Sequence, residues 1–294
     1  MKTAFLTDSP TNFAQEYSDR EDIFEVLLTA NFSNGESVYD TSEPKDIDRF
    51  LELRPQFEEK PTSSQPSLGS IHEVFEEIIA KGYERVIGVI LGEKMSGTLQ
   101  STRIVAEEYE DKLEIHLFDS GALGTANYGM LEEAIRLVES GASMTTIEDR
   151  INQLIAETQT FILPEDISGM QSGGRFVASE EAVVALKNTK NILHFTKEGT
   201  ITLLEKVRTK RVREARLIEA IKEAKQKFGN INVIIMHAKA DEEMKKFSDK
   251  INDVLSDVTV RLIDMRPALM CHVEEKGYCL SIVPVLPKSA AEIA

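Results

Sequence analysis

Arg85-Val86-Ile87-Gly88-Val89-Ile90-Leu91, followed by Gly92-Glu93-Lys94-Met95-Ser96-Gly97-Thr98, is the stretch that decides the fold class. An almost unbroken apolar run bounded by glycine reads as a strand buried on both faces. A short turn rich in hydroxyls comes next, with Ser101 and Thr102 one turn further on, and a helix is expected over about 97–109. A strand buried on both faces that leads straight into a helix belongs to a mainly parallel, helix-covered sheet. In such sheets ligands sit beyond the carboxyl ends of the strands, where helix N-termini offer free N–H groups to anions. Ser96, Gly97 and Thr98 are therefore the first candidate binding residues. The GxxxxGK[ST] spacing of a phosphate loop is absent, and Glu93 would oppose a triphosphate.

The same alternation extends through the N-terminal half. Strands are expected over about 4–6, 25–32 and 113–118. Ile71, Val74, Phe75, Ile78 and Ile79 make one apolar helix face, with a capping box at Ser70 and Glu73 and a left-handed stop at Gly82. Further helices are expected over about 127–139 and after a second capping box at Thr145 and Glu148. The C-terminal half differs. Segments at about 192–195 and 200–205 flank Lys197-Glu198-Gly199, a hairpin turn. A long helix carrying Val212, Leu217, Ile221, Ala224 and Phe228 follows and stops at Gly229-Asn230. Strand 232–236, helix 242–254, strand 259–263 and a last strand at 278–285 complete the chain. A hairpin among strand–helix units gives a mixed sheet. The expectation is thus two α/β domains, 1–163 and 164–294, divided at Pro164.

Charge narrows the function classes. The 294 residues carry 34 Lys plus Arg against 50 Asp plus Glu, a formal net charge of −16. Nucleic acid and anionic membranes would be repelled over most of such a surface. The N-terminus lacks the apolar core of a signal peptide, and no apolar run approaches the ~20 residues that span a bilayer. A cytoplasmic protein without stable membrane insertion is expected. Cys271 and Cys279 have no CxxC spacing and should be thiols. His72, His116, His194, His237 and His272 show no HExxH or HxH pattern, so neither a metal site nor a cofactor is expected.

Five other segments carry polar chemistry. Pro61-Thr62-Ser63-Ser64-Gln65-Pro66-Ser67-Leu68-Gly69-Ser70 places hydroxyls between prolines just before a helix; it is either a solvated loop with a cap or a neutral anion cradle. Asp8-Ser9 and Asp119-Ser120 end two strands, as ordinary turn residues or as paired carboxylates for acid/base work. Ser172-Gly173-Gly174-Arg175 sets a cation beside glycine just past the domain boundary, as a helix cap, a lining of the interdomain cleft or a face for a partner. Lys206, Arg208, Lys210, Arg211, Arg213 and Arg216 concentrate positive charge in an acidic chain, as a solvated helix face or a docking patch.

Taken together, the segments resemble the DegV family of bacterial fatty-acid-binding proteins, which includes the acyl-carrying subunits of fatty-acid kinase. The resemblance rests on Thr7-Asp8-Ser9, Tyr39-Asp40, Ser63-Ser64-Gln65-Pro66-Ser67, Ser96-Gly97-Thr98-Leu99-Gln100-Ser101, Asp119-Ser120, Gly173-Gly174-Arg175 and the Gly199 hairpin leading to Arg208. It implies two α/β domains with a long acyl chain buried between them. It also implies that Ser63, Ser96 and His272, with Thr62, hold the carboxylate. Ser64, Gly97, Thr98, Asp8, Ser9 and Ser120 would support them; by their charge in an acidic chain, Arg175, Arg208, Lys210 and Arg211 are the candidates for docking a partner. In kinase-linked members a separate ATP-using kinase phosphorylates the acyl group for phospholipid synthesis, so the chain alone would be non-catalytic and most simply a monomer. Two departures stand out. Ser63 replaces the family's usual threonine, and His272-Val273-Glu274-Glu275-Lys276-Gly277 replaces a His-Thr-Gly-Pro-Gly segment.

Burying roughly 14 methylenes of such a chain at ~0.8 kcal/mol each gives a gross gain on the order of 11 kcal/mol. Hydroxyl contacts to the carboxylate add only ~1.5 to 3 kcal/mol each. Chain burial therefore sets affinity and the hydroxyls set orientation, which lets an acidic protein hold an anionic ligand. Two competing readings remain at this stage: a small-molecule enzyme using Asp8, Asp119 and the hydroxyl loops, and a lipid sensor or storage protein with no kinase partner.

Overall fold

Strand β1 (Thr3–Asp8) is buried along its whole length because it lies inside a four-stranded parallel sheet. Its neighbours are β2 (Ile23–Val26) on one side and β6 (Arg85–Ile90) on the other, with β7 (Glu114–Asp119) beyond β6. The computed structural model describes residues 1–167, 170, 174–176, 186 and 189–285. Val86, Ile87, Val89 and Ile90 of β6 are fully buried, as an apolar run without alternation requires. Gly88 has a steric role there: a Cβ would stand 2.5 Å from Leu117 Cδ2 of β7.

The expected strand over 25–32 divides into two. After β2 the chain turns at Leu28 and re-enters as β3 (Thr29–Asn31), the middle strand of a small antiparallel sheet with β4 (Ser37–Tyr39) and β5 (Thr62–Ser64). Part of the 61–70 segment is therefore a strand.

The N-terminal helices are α1 (Ala14–Tyr17), α2 (Pro44–Leu53), α3 (Leu68–Ala80), α4 (Thr98–Ala106), α5 (Thr125–Glu139) and α6 (Met144–Glu157). Both expected capping boxes fall too late. Ser67, extended after Pro66, caps α3 by accepting from Ser70 N at 3.1 Å, and Ser143 caps α6 by accepting from Thr146 N at 3.1 Å. In each case the earlier serine has extended backbone and the helix starts there. Gly82 does take a left-handed φ of +75°, and the bonds Gly82 N to Ile79 O and Tyr83 N to Ile78 O close α3.

The third sheet has the order β10-β9-β8-β13-β11-β12, with β8 (Gln159–Leu163), β9 (Lys190–Phe195), β10 (Ile201–Val207), β11 (Ile231–His237), β12 (Thr259–Asp264) and β13 (Tyr278–Pro284). It is mixed, since only β11 and β12 run parallel. Because β8 already belongs to it, the change of sheet falls before Gln159, ahead of the expected division at Pro164. Alternation gives this sheet two apolar faces. Val233, Ile235 and Leu280 pack under α7 (Lys210–Phe228) and α8 (Asp241–Val254), while Ile234, Met236 and Val283 join the core of the N-terminal half.

Helix α5 lies between the parallel and mixed sheets. At Gly129 a Cβ would stand 2.8 Å from Val283 of β13, and Thr125 Oγ1 lies 2.7 Å from Ser281 Oγ. The last helix, α9 (Pro267–Val273), packs against β3 and β5. Among the described residues no helix is long and apolar enough to cross a membrane.

Candidate functional site

The turns that follow the parallel strands converge on a narrow, largely apolar cavity of about 50 Å³. Pro10, Leu28, Leu91 and Leu123 enter it just beyond β1, β2, β6 and β7. From the opposite side come Ile162 of β8, Ile201 at the start of β10, and Leu269 and Val273 of α9. The spacing of Leu269, His272 and Val273 puts all three on one helix face. The polar residues of the wall are Ser63, Gln65, Ser96, Arg175 and His272.

Ser63, Ser96 and His272, expected together at a carboxylate, do line one cavity. Ser63 Oγ lies 2.8 Å from His272 Nε2. Thr62 and Ser64, on the same three-residue strand, face the other way and are exposed, as the pleat dictates. There Asn31 Nδ2 donates to Ser64 Oγ at 2.8 Å. The structure thus sets Thr62 apart from the three residues it was expected to join. Ser96 opens α4: its Oγ accepts from Thr98 N at 3.3 Å and lies 2.9 Å from the buried Thr98 hydroxyl. Gly97 leaves room for Gln65, whose Oε1 would stand 2.1 Å from a Cβ there and whose Nε2 donates to Ser101 Oγ at 2.6 Å.

The remaining expected residues have other surroundings. Arg175 Nε donates to Met95 O at 3.2 Å, so this guanidinium belongs to the cavity wall beside Ser96 and not to a surface patch. Ser172 and Gly173 lie outside the described residues. Ser120 Oγ accepts from Ala122 N at 3.2 Å, and Asp119 Oδ1 from Gly121 N at 2.9 Å, which is turn chemistry. The basic run is dispersed. Arg213 is buried, donating to Pro164 O at 3.3 Å over the Tyr278 ring. Arg216 pairs with Glu205 and Glu219, and Lys210 with Glu165 and Glu243. Arg208 and Arg211 are exposed, and among the described residues neither has an ion pair.

Behind the cavity lies a buried charge network. Asp8 Oδ2 accepts from Leu91 N at 2.5 Å and from Asn127 Nδ2 at 3.3 Å. Ser9 Oγ donates to Asp40 Oδ2 at 2.7 Å, and Asp40 Oδ1 accepts from Ala268 N, at the start of α9, at 2.8 Å. Arg266 is 1% exposed and donates to Glu25 Oε2 at 2.8 Å, Asn12 Oδ1 at 2.8 Å and Ser9 O at 3.1 Å. Loss of solvation pushes the Asp8 carboxyl up to about 7 and that of Asp40 up to about 6. Neither Asp8 nor Asp119 reaches the cavity wall. Of this network, Glu25 and Arg266 were not legible as a site. The available signal was a lone arginine opening the apolar run Pro267-Ala268-Leu269-Met270-Cys271.

His237, Asp241 and Asp264 bring one ligand atom each within 4.8 Å of one another, a grouping from three segments that sequence spacing does not show. Both aspartates are exposed, and His237 Nδ1 accepts from Ala240 N at 3.5 Å.

Fold and cavity together define a three-sheet α/β protein whose pocket is apolar over most of its wall and lined otherwise by hydroxyls, an amide, an imidazole and a guanidinium. The chain belongs to the DegV family: residues 2–285 match the family model described as "uncharacterised protein, DegV family". The DegV domain-containing protein BH3627 of Halalkalibacterium halodurans is 31% identical over 280 residues, covering 95% of this chain and 98% of the relative. Among solved structures, the fatty acid binding DegV family protein SAG1342 of Streptococcus agalactiae aligns with a TM-score of 0.87 at 22% identity, covering 97% of this chain and 100% of its own. The Streptococcus pneumoniae Fatty Acid Kinase (Fak) B3 protein, loaded with linoleic acid, aligns with a TM-score of 0.81 at 18% identity, again over 97% and 100%. At these identities the structural likeness is one of fold.

Proposed function

We propose that this chain binds a long-chain fatty acid in the cavity between its sheets and presents the carboxylate to a separate ATP-dependent kinase, for acyl-phosphate formation and phospholipid synthesis. The observation that carries the reading is the polarity of the cavity. Apolar side chains from both halves form most of its wall, and its polar members include the pair Ser63 and His272 and, beside Met95, Ser96 and Arg175. An amphipathic molecule with one anionic end matches that distribution. Two structural neighbours support it, one described as fatty acid binding and the other loaded with linoleic acid.

The chemistry assigns the chain no bond-breaking step. Serine hydroxyls hold a carboxylate through neutral donors and leave an oxygen able to attack a phosphate donor, which a tight bidentate arginine would damp. Arg175, tied to Met95 O, adds one positive charge to that end against the acidic surface. The kinase would dock on Arg208, Lys210 and Arg211. Six strand steps separate Ile201 at the cavity from Val207, about 20 Å at ~3.3 Å per residue, so such a partner must span that distance. The carrier acts as a monomer in the cytoplasm with no cofactor besides its lipid.

Native mass spectrometry of the purified chain tests the reading. A dissociable C14 to C18 fatty acid at one per chain is expected. A chain that carries none, and takes up none when offered oleate, refutes it.

A further inference from the structure

Lys60 and Glu274 form an ion pair that joins the two segments carrying Ser63 and His272. Lys60 precedes Ser63 by three residues, and Glu274 follows His272 by two. The segments are thus bridged twice, by Ser63 Oγ against His272 Nε2 at 2.8 Å and by the ion pair beside it. Strand β5 is a three-residue edge strand, paired in its sheet with β3 among the described residues, while α9 is held separately: all its residues but His272 are buried, and Asp40 Oδ1 accepts from Ala268 N at 2.8 Å.

Glu274 occupies an unusual backbone position. Its φ of +63° with ψ of 173° falls in a region nearly confined to glycine. Lys276 also has positive φ, and a Cβ on Gly277 would stand 2.3 Å from Val273 O, so the whole return after α9 is tightly wound. A glutamate at such a position does nothing for the turn that glycine would not do better. What it adds is a carboxylate on Lys60, with the two side chains 24% and 21% exposed, directly beside Val273 and Ser63 of the cavity wall.

We propose that the Lys60–Glu274 pair is a latch over the carboxylate end of the cavity. Closed, it holds β5 against α9 and keeps Ser63 opposite His272. Open, it lets β5 lift and the acyl chain leave. Lys60 and Glu274 are positioning residues, acting on the ligand through Ser63 and His272. The latch rests on the fatty-acid reading and adds to it a control on exchange.

The test is release of cis-parinaric acid from the full chain, chased with excess oleate in a stopped-flow fluorimeter. Lys60→Met and Glu274→Gln should each release it about fivefold faster, the factor set by the upper end of a partly exposed ion pair. The double variant should match the single ones, since both break one contact. Wild-type release should quicken between 0.05 and 1 M NaCl while variant release stays flat. Glu274→Gly separates the latch from simple stabilisation, because it relieves the backbone: it should melt no lower than wild type yet release faster. Wild-type release that ignores salt, or a double variant whose effect is the product of the single ones, overturns the latch alone. Failure of the wild type to bind parinaric acid overturns the fatty-acid reading and the latch with it.

Discussion

Replacing Arg266 by methionine removes the cation from a buried site that also holds Asp8, Asp40 and Glu25. Arg266 is 1% exposed and donates to Glu25, Asn12 and Ser9, so the methionine would leave Glu25 and Asp40 facing each other without compensation. Breaking a buried pair from one side costs about 3 to 5 kcal/mol. At ~2 °C per kcal/mol for a chain of this size, Tm at pH 8 should fall by roughly 6 to 10 °C. The loss should depend on pH. Burial raises the Asp8 carboxyl to about 7 and the Asp40 carboxyl to about 6, the latter even with Arg266 pulling it down. The folded chain therefore holds protons that the unfolded chain releases near ~4. The stability these groups contribute is full below pH ~4 and is lost as pH rises through 6 to 7. Without Arg266 the Asp40 carboxyl rises further, so at pH 5 both groups are neutral and the penalty should be smaller than at pH 8, the broken Arg266–Glu25 contact making up the remainder. Calorimetry on delipidated wild type and variant at both pH values reads this directly. An equal loss at the two pH values, or a loss under 1 kcal/mol at pH 8, would refute the view that Arg266 acts by neutralising the buried carboxylates.

Other perturbations address separate links. Ser96→Ala should weaken kinase-dependent acyl-phosphate formation more than acyl binding, and an unchanged turnover would remove Ser96 from carboxylate presentation. Arg208→Glu with Arg211→Glu should lower partner-dependent phosphorylation while lipid occupancy by mass spectrometry stays constant; loss of lipid with retained partner binding would reassign the patch. Gly129→Ala, whose Cβ would stand 2.8 Å from Val283, should cost ~1 to 3 kcal/mol in guanidinium unfolding by forcing α5 off β13.

Much of the fold is legible because period alone identifies it. The β6 run, the α3 face and the Lys197-Glu198-Gly199 turn all form close to where their patterns put them. What fails to show is whatever depends on a neighbour. Nothing in residues 25–32 says that the chain changes sheet at Leu28, and seven residues of α9 are too few to establish a period. Within the site, Ser63, Ser96 and His272 were reached by resemblance, because they come from three elements far apart in the chain. Thr62 fails for a local reason, since adjacent residues of a strand cannot face one cavity together. In the basic run a signal is present: Arg213, Leu217, Ile221 and Ala224 recur at helical spacing, which places Arg213 on the buried face.

The position of β13 has a consequence for how the protein is made. Among the described residues it is the last strand in order, yet it lies between β8 and β11 and links β8–β9–β10 to β11–β12. On the ribosome, β8 can pair with β9 early, but its other edge must wait for a strand on the order of 100 residues downstream, roughly 5 to 20 s at synthesis rates of about 5–20 residues per second. Through that interval the nascent chain exposes apolar strand edges at β8 and β11, which are the parts most prone to pair with another chain. Completion of the mixed sheet thus waits on β13, and the need for chaperone protection during synthesis should end only once Pro284 has left the exit tunnel.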